Sequence, residues 1–587
     1  MTDHLIPPQS GGGDAGADPR HGRPPVHPAV SEAGRLLCAG TYLDAAYRDR
    51  VIDELYVHEE RIAAPSYGFD ATRVLAHALR ARRIELAWAG GIIGAWLVGS
   101  LLTSGGLTLL LVPFLMLSLA NWLRARRNPL VRFLGLLVRI YAWISLLLVV
   151  FGLWAAATGE ALAIAEFLDF FSLTSGSSGY GSGGYGEYGR YSGSGDPSGS
   201  PIVWLTPAVF AAVVALVALQ RGHAARIVST ELSPPRYADQ ANDPAESTQS
   251  PRFARVRARI RGEQHAPLVM YNINAPFTGA GAAFRPWQLS VELRPREGLD
   301  PGQKPQPVTN AHIVQRIVPL LHALRVPSPH GTRAAQDAVL DRLRELVVDE
   351  CVFLPAVGLP HRDVAPLTPQ QFAEHRLGAI EEGGERRRHF LRIRVGGWDE
   401  NLVVTVFVRV HTQGRMLMLE VAPHVLLPVR TRFQNADAAA QRLLNNTWFG
   451  KAVEALAATP GSFAGSVATL GRGVASWWRI VTGGHGGARP EGPELSVREL
   501  AAQDDGSLFH LMDLARYLKT IQDRVVGGVT VALHESGWHT EEFAQRAVHV
   551  AEGGIYIQSM NNSAASFNGS HNTNTVGTSG RGRSGGN

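Results

Sequence analysis

Residues 84–123, IELAWAGGIIGAWLVGSLLTSGGLTLLLVPFLMLSLANWL, hold one acidic residue, Glu85, at their very edge. A helix needs about 20 apolar residues to cross the hydrocarbon core of a bilayer. This run is roughly twice that length, and Ser104-Gly105-Gly106 at its middle predicts a tight transmembrane hairpin. A third span is predicted over 133–157, FLGLLVRIYAWISLLLVVFGLWAAA, followed by the amphipathic EALAIAEFLDFF. A fourth is PIVWLTPAVFAAVVALVALQ, 201–220. A buried soluble helix would explain any one of these runs, but not four in close succession.

Flanking arginines set the expected orientation, because cytoplasmic loops retain positive charge. Arg80, Arg82 and Arg83 precede the first span, Arg124, Arg126, Arg127 and Arg132 separate the second from the third, and Arg221 and Arg226 follow the fourth. The other two connections hold only Arg190 among several acids. The expectation is a multi-pass protein of the cytoplasmic (plasma) membrane with both termini cytoplasmic. Arg139 is the one ionisable residue inside a span, near its arginine-rich end, where its side chain can snorkel to the interface. Gly90, Gly91 and Gly94 are candidates for close helix approach. The outer connection, 173–200, is rich in Gly and Ser and carries Tyr180, Tyr185, Tyr188 and Tyr191. Such a chain is a flexible spacer by default; the spaced tyrosines are the candidate extracytoplasmic contacts.

The chain of 587 residues has only three lysines and a net charge of +5, so local arginine clusters matter more than overall charge. Cys38 and Cys351 form neither a disulfide framework nor a metal site. The N-terminal stretch has no apolar h-region and reads as a disordered arm, 1–30. Residues 31–83 are expected to be a cytoplasmic helical segment, with Asp70 capping a helix that runs into the first span. His58 and His77 there read as solvated surface histidines. Spans one to three occupy 84–172, and 221–252 is a Pro/Ser/acid-rich linker.

A cytoplasmic α+β domain is expected over 253–450. RFARVRARIR alternates Arg255, Arg257, Arg259 and Arg261 with small apolar residues, which predicts a strand with an arginine face. HFLRIRV repeats the theme with Arg392 and Arg394. These arginines are candidates for anionic lipid headgroups or a protein partner, against a solvated sheet face; nucleic acid is disfavoured, since no interleaved aromatics or recognition motif accompany them. Strands are predicted at PLVMYNI, WQLSVEL, HFLRIRV, LVVTVFVRV and RMLMLEV, the last three as an antiparallel β-meander. Helices are predicted over 309–324, 333–349 and 368–380.

Two motifs fail on context. TGAGAAF resembles half a dinucleotide fingerprint but leads into a strand, so no helix N-terminus follows to hold a pyrophosphate. HESGWH places its histidines five apart, about 140° out of line on a helix of 3.6 residues per turn, and reads as a helix–turn–helix joint. The helical C-terminal region, 451–552, begins with a low-charge segment ending in Trp477-Trp478-Arg479. That segment suits either the membrane interface or packing on the domain, so Trp477 and Trp478 join the candidate lipid or partner contacts. Leu511, Leu514, Ala515 and Leu518 are expected on one stripe, suited to packing or to a partner helix. The Asn/Ser/Gly-rich tail, 553–587, reads as disordered.

PLVMYNINAPFTGAGAAFRPWQLSVEL and the meander RVGGWDENLVVTVFVRVHTQGRMLMLEVAPHVLLPVR resemble uncharacterised multi-pass membrane proteins of actinomycetes. The resemblance implies source and topology and brings no activity, cofactor or catalytic residue. The reading that follows is a non-enzymatic membrane scaffold or sensor, integral in the bilayer, whose cytoplasmic domain binds a partner or a second copy. No cofactor, metal or catalytic residue is expected. A membrane-anchored enzyme, with a site at His361, Asp363, Asp399 or Glu400, is the alternative; a small transporter or channel comes third.

Overall fold

The computed structural model describes residues 27–553, apart from 127, 159–200, 248–249, 298–303, 327–331, 333–341, 383, 385, 397–401 and 483–487. The four tyrosines of the outer connection, the C-terminal tail, and Asp399 and Glu400 lie outside the described residues. Ser31 accepts the Gly34 amide at 3.1 Å and caps α1 (Glu32–Leu43). Asp44 does the same for α2 (Ala45–Ile52) through the amides of Ala46 and Tyr47. Asp70 takes the Thr72 amide at 2.8 Å and opens α3 (Ala71–Leu102), as its N-cap position predicts.

Helix α3 is unbroken from the N-terminal segment into the first apolar run. It ends where Ser104 and Gly105 adopt positive φ (47° and 91°), a reversal that returns the chain as α4 (Gly106–Arg124). Two more long apolar helices follow, α5 (Pro129–Thr158) and α6 (Pro201–Arg226). Four helices, Ala71–Leu102, Gly106–Arg124, Pro129–Gly152 and Leu205–Glu231, are long and apolar enough to cross a membrane. Large apolar side chains such as Leu101, Leu130, Phe133 and Leu147 point outward from this bundle, as a lipid-facing surface requires. Gly90, Gly91 and Gly94 face open space and do not bring helices together. Close approaches fall instead at Gly99 against Val209 and Leu107, at Gly106 against Thr206, and at Gly135 against Arg124. Arg139 is half-buried in the first part of α5.

The segment expected to be a linker is folded. After a π-turn at Ile227–Glu231, residues 232–247 form a strap that buries Leu232, Tyr237, Asp243 and Ala245. The predicted strand at 252–261 is a helix, α7 (Pro251–Glu263). Ser250 caps it through the Phe253 amide, Pro251 takes the first helical position, and the buried residues Phe253, Val256, Ile260 and Glu263 follow helical spacing. The alternating arginines imitated a period of two; the apolar residues that fold the segment have a period near 3.6.

The sheet contains β1 (Leu268–Tyr271), β2 (Ala282–Ala283), β3 (Trp287–Glu292), β4 (Val347–Pro355), β5 (Arg388–Val395), β6 (Val403–Gln413) and β7 (Met416–Leu426), in the order β1-β4-β5-β6-β7-β2 with β3 also on β7. Strands β5, β6 and β7 are the predicted antiparallel meander. Gly414 and Arg415, both at positive φ, turn β6 into β7. The helix predicted over 333–349 is corrected at its described end: Val347 begins β4, whose run of β-branched and aromatic residues suits a strand.

One face of the sheet is covered by α8 (Asn310–His322) and α12 (Leu508–Glu535), with Leu391, Ile393, Val404 and Val406 meeting Ile313, Ile317, Leu514 and Ile521. The buried stripe of α12 is Leu514, Tyr517, Ile521 and Val525; of the predicted stripe Leu514 is buried and Leu518 packs beside it, while Leu511 and Ala515 are exposed. α9 (Pro369–Glu381) carries the capping box of Thr368 and Gln371 and closes the β1–β4 end. α10 (Ala436–Asn445) and α11 (Trp448–Thr482) lead from the sheet back to the bundle, and α13 (Glu541–Gly553) follows α12 across the turn at Gly537. The opposite sheet face packs Phe353, Phe390 and Phe407 against Phe277 and Tyr67. Tyr67 belongs to the stretch just before α3, so the segment leading into the first apolar helix packs on this face of the sheet.

Candidate functional site

The first turns of α3 carry Arg73, His77 and Arg80 at i, i+4 and i+7, one face of a helix. All three aim at the folded strap. Arg73 donates to Asp243 through Nε at 2.9 Å and to the Ala29 carbonyl at 2.6 Å, and its guanidinium lies 3.6 Å from the centre of the Tyr237 ring. His77 Nε2 is 3.1 Å from the same Asp243 oxygen, and its Nδ1 is hydrogen-bonded to Tyr42 at 3.2 Å. Asp243 Oδ1 accepts the Ala245 amide at 2.9 Å. Arg80 pairs bidentately with Glu231. Burial opposes the charge of Asp243, but the hydrogen bond and charge of His77, the Ala245 amide and Arg73 hold its carboxyl well below the ordinary range.

His77 is therefore not the solvated histidine the sequence suggests: it is 1 % exposed and locked between a tyrosine and a carboxylate. Its spacing from Arg73 and Arg80 was the available signal. The partner, Asp243, lies 166 residues away in a segment whose composition reads as a linker.

The arginines expected on a lipid-facing strand are distributed differently. On α7, Arg257 pairs with Glu246 at 2.6 Å, Arg259 with Asp363 at 2.9 Å and Glu59 at 3.7 Å, and Arg261 lies 3.8 Å from both Asp70 and Glu246; Arg255 is exposed. Arg392 and Arg394 are buried on the face of β5 that meets Tyr67, which corrects their reading as a solvated or headgroup-facing edge. Arg392 binds its cross-strand neighbour Asp349 through Nε and Nη2 at 2.7 and 2.6 Å, and both guanidiniums sit over the Tyr67 ring. Burial, assisted by the charge of Arg392 but opposed by Asp349, lowers the Arg394 guanidinium to about 10. Buried Glu263 accepts the Ala63 amide and a bidentate Arg362. These contacts join α7, the sheet and the pre-helix segment into a collar around the start of α3.

Helix α11 completes the collar by packing on the apolar bundle. Its middle packs into the apolar bundle, with the Phe463 ring 6.1 Å from Trp96 and Ser118 donating to the Pro460 carbonyl at 3.3 Å. On either side, Glu454 meets Arg221 at 3.7 Å, Thr469 donates to Glu85 at 3.3 Å and Arg472 meets Asp49 at 3.5 Å. The helix thus crosses the bundle at the domain-side end of the apolar runs. Trp477 and Trp478 are 59 % and 60 % exposed there.

The loop that resembles half a nucleotide fingerprint is occupied from within. Gly279 and Gly281, at φ of 102° and 92°, donate their amides to one oxygen of Glu499, each at 2.8 Å. A Cβ at Gly281 would strike the Val425 carbonyl, so the turn requires glycine. Burial pushes the Glu499 carboxyl up, against the pull of the two amides. In HESGWH, His534 is hydrogen-bonded to Arg296 at 2.7 Å and His539 is exposed on the turn, so the two do not converge. Among the described residues no group of three His, Cys, Asp or Glu side chains is placed to hold a metal ion. His361 is exposed, and Asp363 is engaged by Arg259.

Fold and site together define a bundle of membrane-length helices joined through a buried polar collar to an α+β domain. Residues 286–564 match the family model of the AbeC-like domain, an uncharacterised family. The match takes in β3 to β7 and α8 to α13 and leaves the four membrane-length helices outside, yet it includes α11, which packs into their bundle. No curated protein and no solved structure matches the chain.

Proposed function

We propose that the protein is a non-enzymatic integral membrane scaffold or sensor, with both termini in the cytoplasm and the α+β domain presented there to a partner protein or a second copy. The observation that carries this reading is the rigid coupling of domain to bundle. Helix α3 starts inside the domain's core and continues without a break into the first apolar run, clamped by Arg73, His77 and Arg80. A tethered catalytic domain needs only a flexible linker. A domain fused to its spans through buried charge suits a protein whose bundle and domain must move as one unit. The arginine clusters beside the domain support a cytoplasmic placement.

The test is quantitative crosslinking of the full chain in native membranes. A reproducible partner or second copy on the sheet domain is expected, and its yield should fall when Asp243→Asn weakens the collar. A sheet domain that crosslinks to nothing above an untagged control would refute the proposal.

A further inference from the structure

At the domain-side end of the bundle a cavity of about 350 Å³ lies between α2, α3, α7 and α11. Its size falls within the ~300–1,000 Å³ typical of small-molecule sites. The walls are largely apolar, with Leu79 and Leu86 of α3, Phe253 of α7 and Trp477 of α11, and Arg82 and Arg83 stand among them. The cavity straddles the point where α3 changes from a domain helix to a lipid-exposed one.

The charges around it do not cancel. Arg48 is held by Asp49 and Glu85, Arg472 by the same two carboxylates, and Arg479 by Asp53 at 3.2 Å. Among the described residues Arg82 donates to the Arg472 carbonyl alone, at 3.3 Å. Among the described residues, neither Arg82 nor Arg83 has a carboxylate within ion-pair distance. Asp49 and Asp53 act on Arg82 only from beyond ion-pair distance, and two guanidiniums with no direct ion partner at the mouth of an apolar cavity suit a ligand with one anionic end and one apolar end. The level of the cavity supplies the source. Leu86 is the third residue of the apolar run, and Trp477 belongs to the residue type that settles at the bilayer interface.

We propose that this cavity binds an anionic phospholipid of the domain-side leaflet, its phosphate on Arg82 and Arg83 and one acyl chain between Leu79, Leu86, Phe253 and Trp477. The lipid would complete the wall between α3 and α11 and make their packing depend on headgroup charge.

The test uses the full chain in nanodiscs doped with phosphatidylglycerol or phosphatidylcholine carrying a diazirine on one acyl chain, read by peptide mass spectrometry after photolysis. The phosphatidylglycerol probe should label the peptides containing Leu79 to Leu86 and Trp477 to Ile480. Arg83→Gln, at an exposed position that leaves folding intact, should reduce that labelling about fivefold, and Arg82→Gln with Arg83→Gln should bring it down to the phosphatidylcholine level. Leu79→Trp, which fills the cavity, should suppress labelling by both probes. Inorganic phosphate should not compete. Equal labelling by the two lipids, labelling indifferent to Leu79→Trp, or loss of labelling on adding phosphate would each overturn the assignment. The partner crosslinking described above is scored separately, so either proposal can fail without the other.

Discussion

Replacing Asp243 by Asn probes the collar most sharply. The carboxylate is shared by Arg73 and His77, and the Arg73 side chain is 1 % exposed. Asparagine there keeps an oxygen for Arg73 but no charge, and neither the Ala29 carbonyl nor the Tyr237 ring neutralises a guanidinium. Removing one member of a buried ion pair costs about 3–5 kcal/mol, because the other charge stays desolvated and unpaired. The strap and the start of α3 should therefore open about 10²- to 4 × 10³-fold more often, at roughly 1.4 kcal/mol per decade. Hydrogen exchange on the detergent-solubilised full chain reads this directly. Peptides covering 232–247 should exchange faster by that factor, while peptides of β5 to β7 stay protected. The double variant Arg73→Met with Asp243→Leu removes both charges and should recover most of the protection. Exchange of the strap within tenfold of wild type in Asp243→Asn, or no recovery in the double variant, would refute the idea that paired buried charge holds the collar.

Acid sensitivity should come in part from His424, which burial lowers to about 4, as it does His265, while the His424 Nδ1 lies 3.1 Å from the Ala422 carbonyl and its ring sits 4.5 Å from that of Phe277 at a 42° tilt. The unfolded chain binds that proton more readily, so stability is fully present above pH ~6.5 and falls by up to about 3 kcal/mol as pH drops towards 4; His424→Phe should flatten this slope in pH-dependent denaturation. Glu499→Leu leaves the Gly279 and Gly281 amides unpaired and should cost about 1–3 kcal/mol for each, whereas Glu499→Gln keeps an acceptor and should be milder; thermal unfolding and proteolysis of the 272–281 loop distinguish them. On α12, Ile521→Ala should cost about 2–5 kcal/mol and Leu511→Ala less than about 0.5, since only the first is buried against α8.

The membrane-length helices were legible because length and composition alone define them, and the hairpin because Ser104-Gly105-Gly106 interrupts an otherwise continuous run. The β5–β7 meander was legible from alternation. Two segments misled for physical reasons. In 252–261 the arginines alternate in sequence, but the helix is fixed by Phe253, Val256 and Ile260, so counting charges gave the wrong period. In 347–355 a strand was hidden behind a charged stretch that has helical composition. The collar was legible only in the helical spacing of Arg73, His77 and Arg80, not in its partners. Its pairs join residues far apart in sequence, Arg35 to Asp437, Arg73 to Asp243 and Arg362 to Glu263, and no local pattern announces which carboxylate a distant arginine will find. Arg392 and Arg394 show the same limit from the other side: alternation correctly gave them a common face, but only the fold shows that Tyr67 and Asp349 cover it.

The most direct test of the whole arrangement is the sidedness of the α3–α4 turn relative to the domain. Cys38 and Cys351 are buried, so the native background for thiol labelling is low. A cysteine placed at Ser104 should react with a membrane-impermeant maleimide on intact cells, and one placed at Gly414, in the β6–β7 turn, only after permeabilisation. Labelling of both from the same side, or of Gly414→Cys alone on intact cells, would contradict four crossings with a cytoplasmic domain.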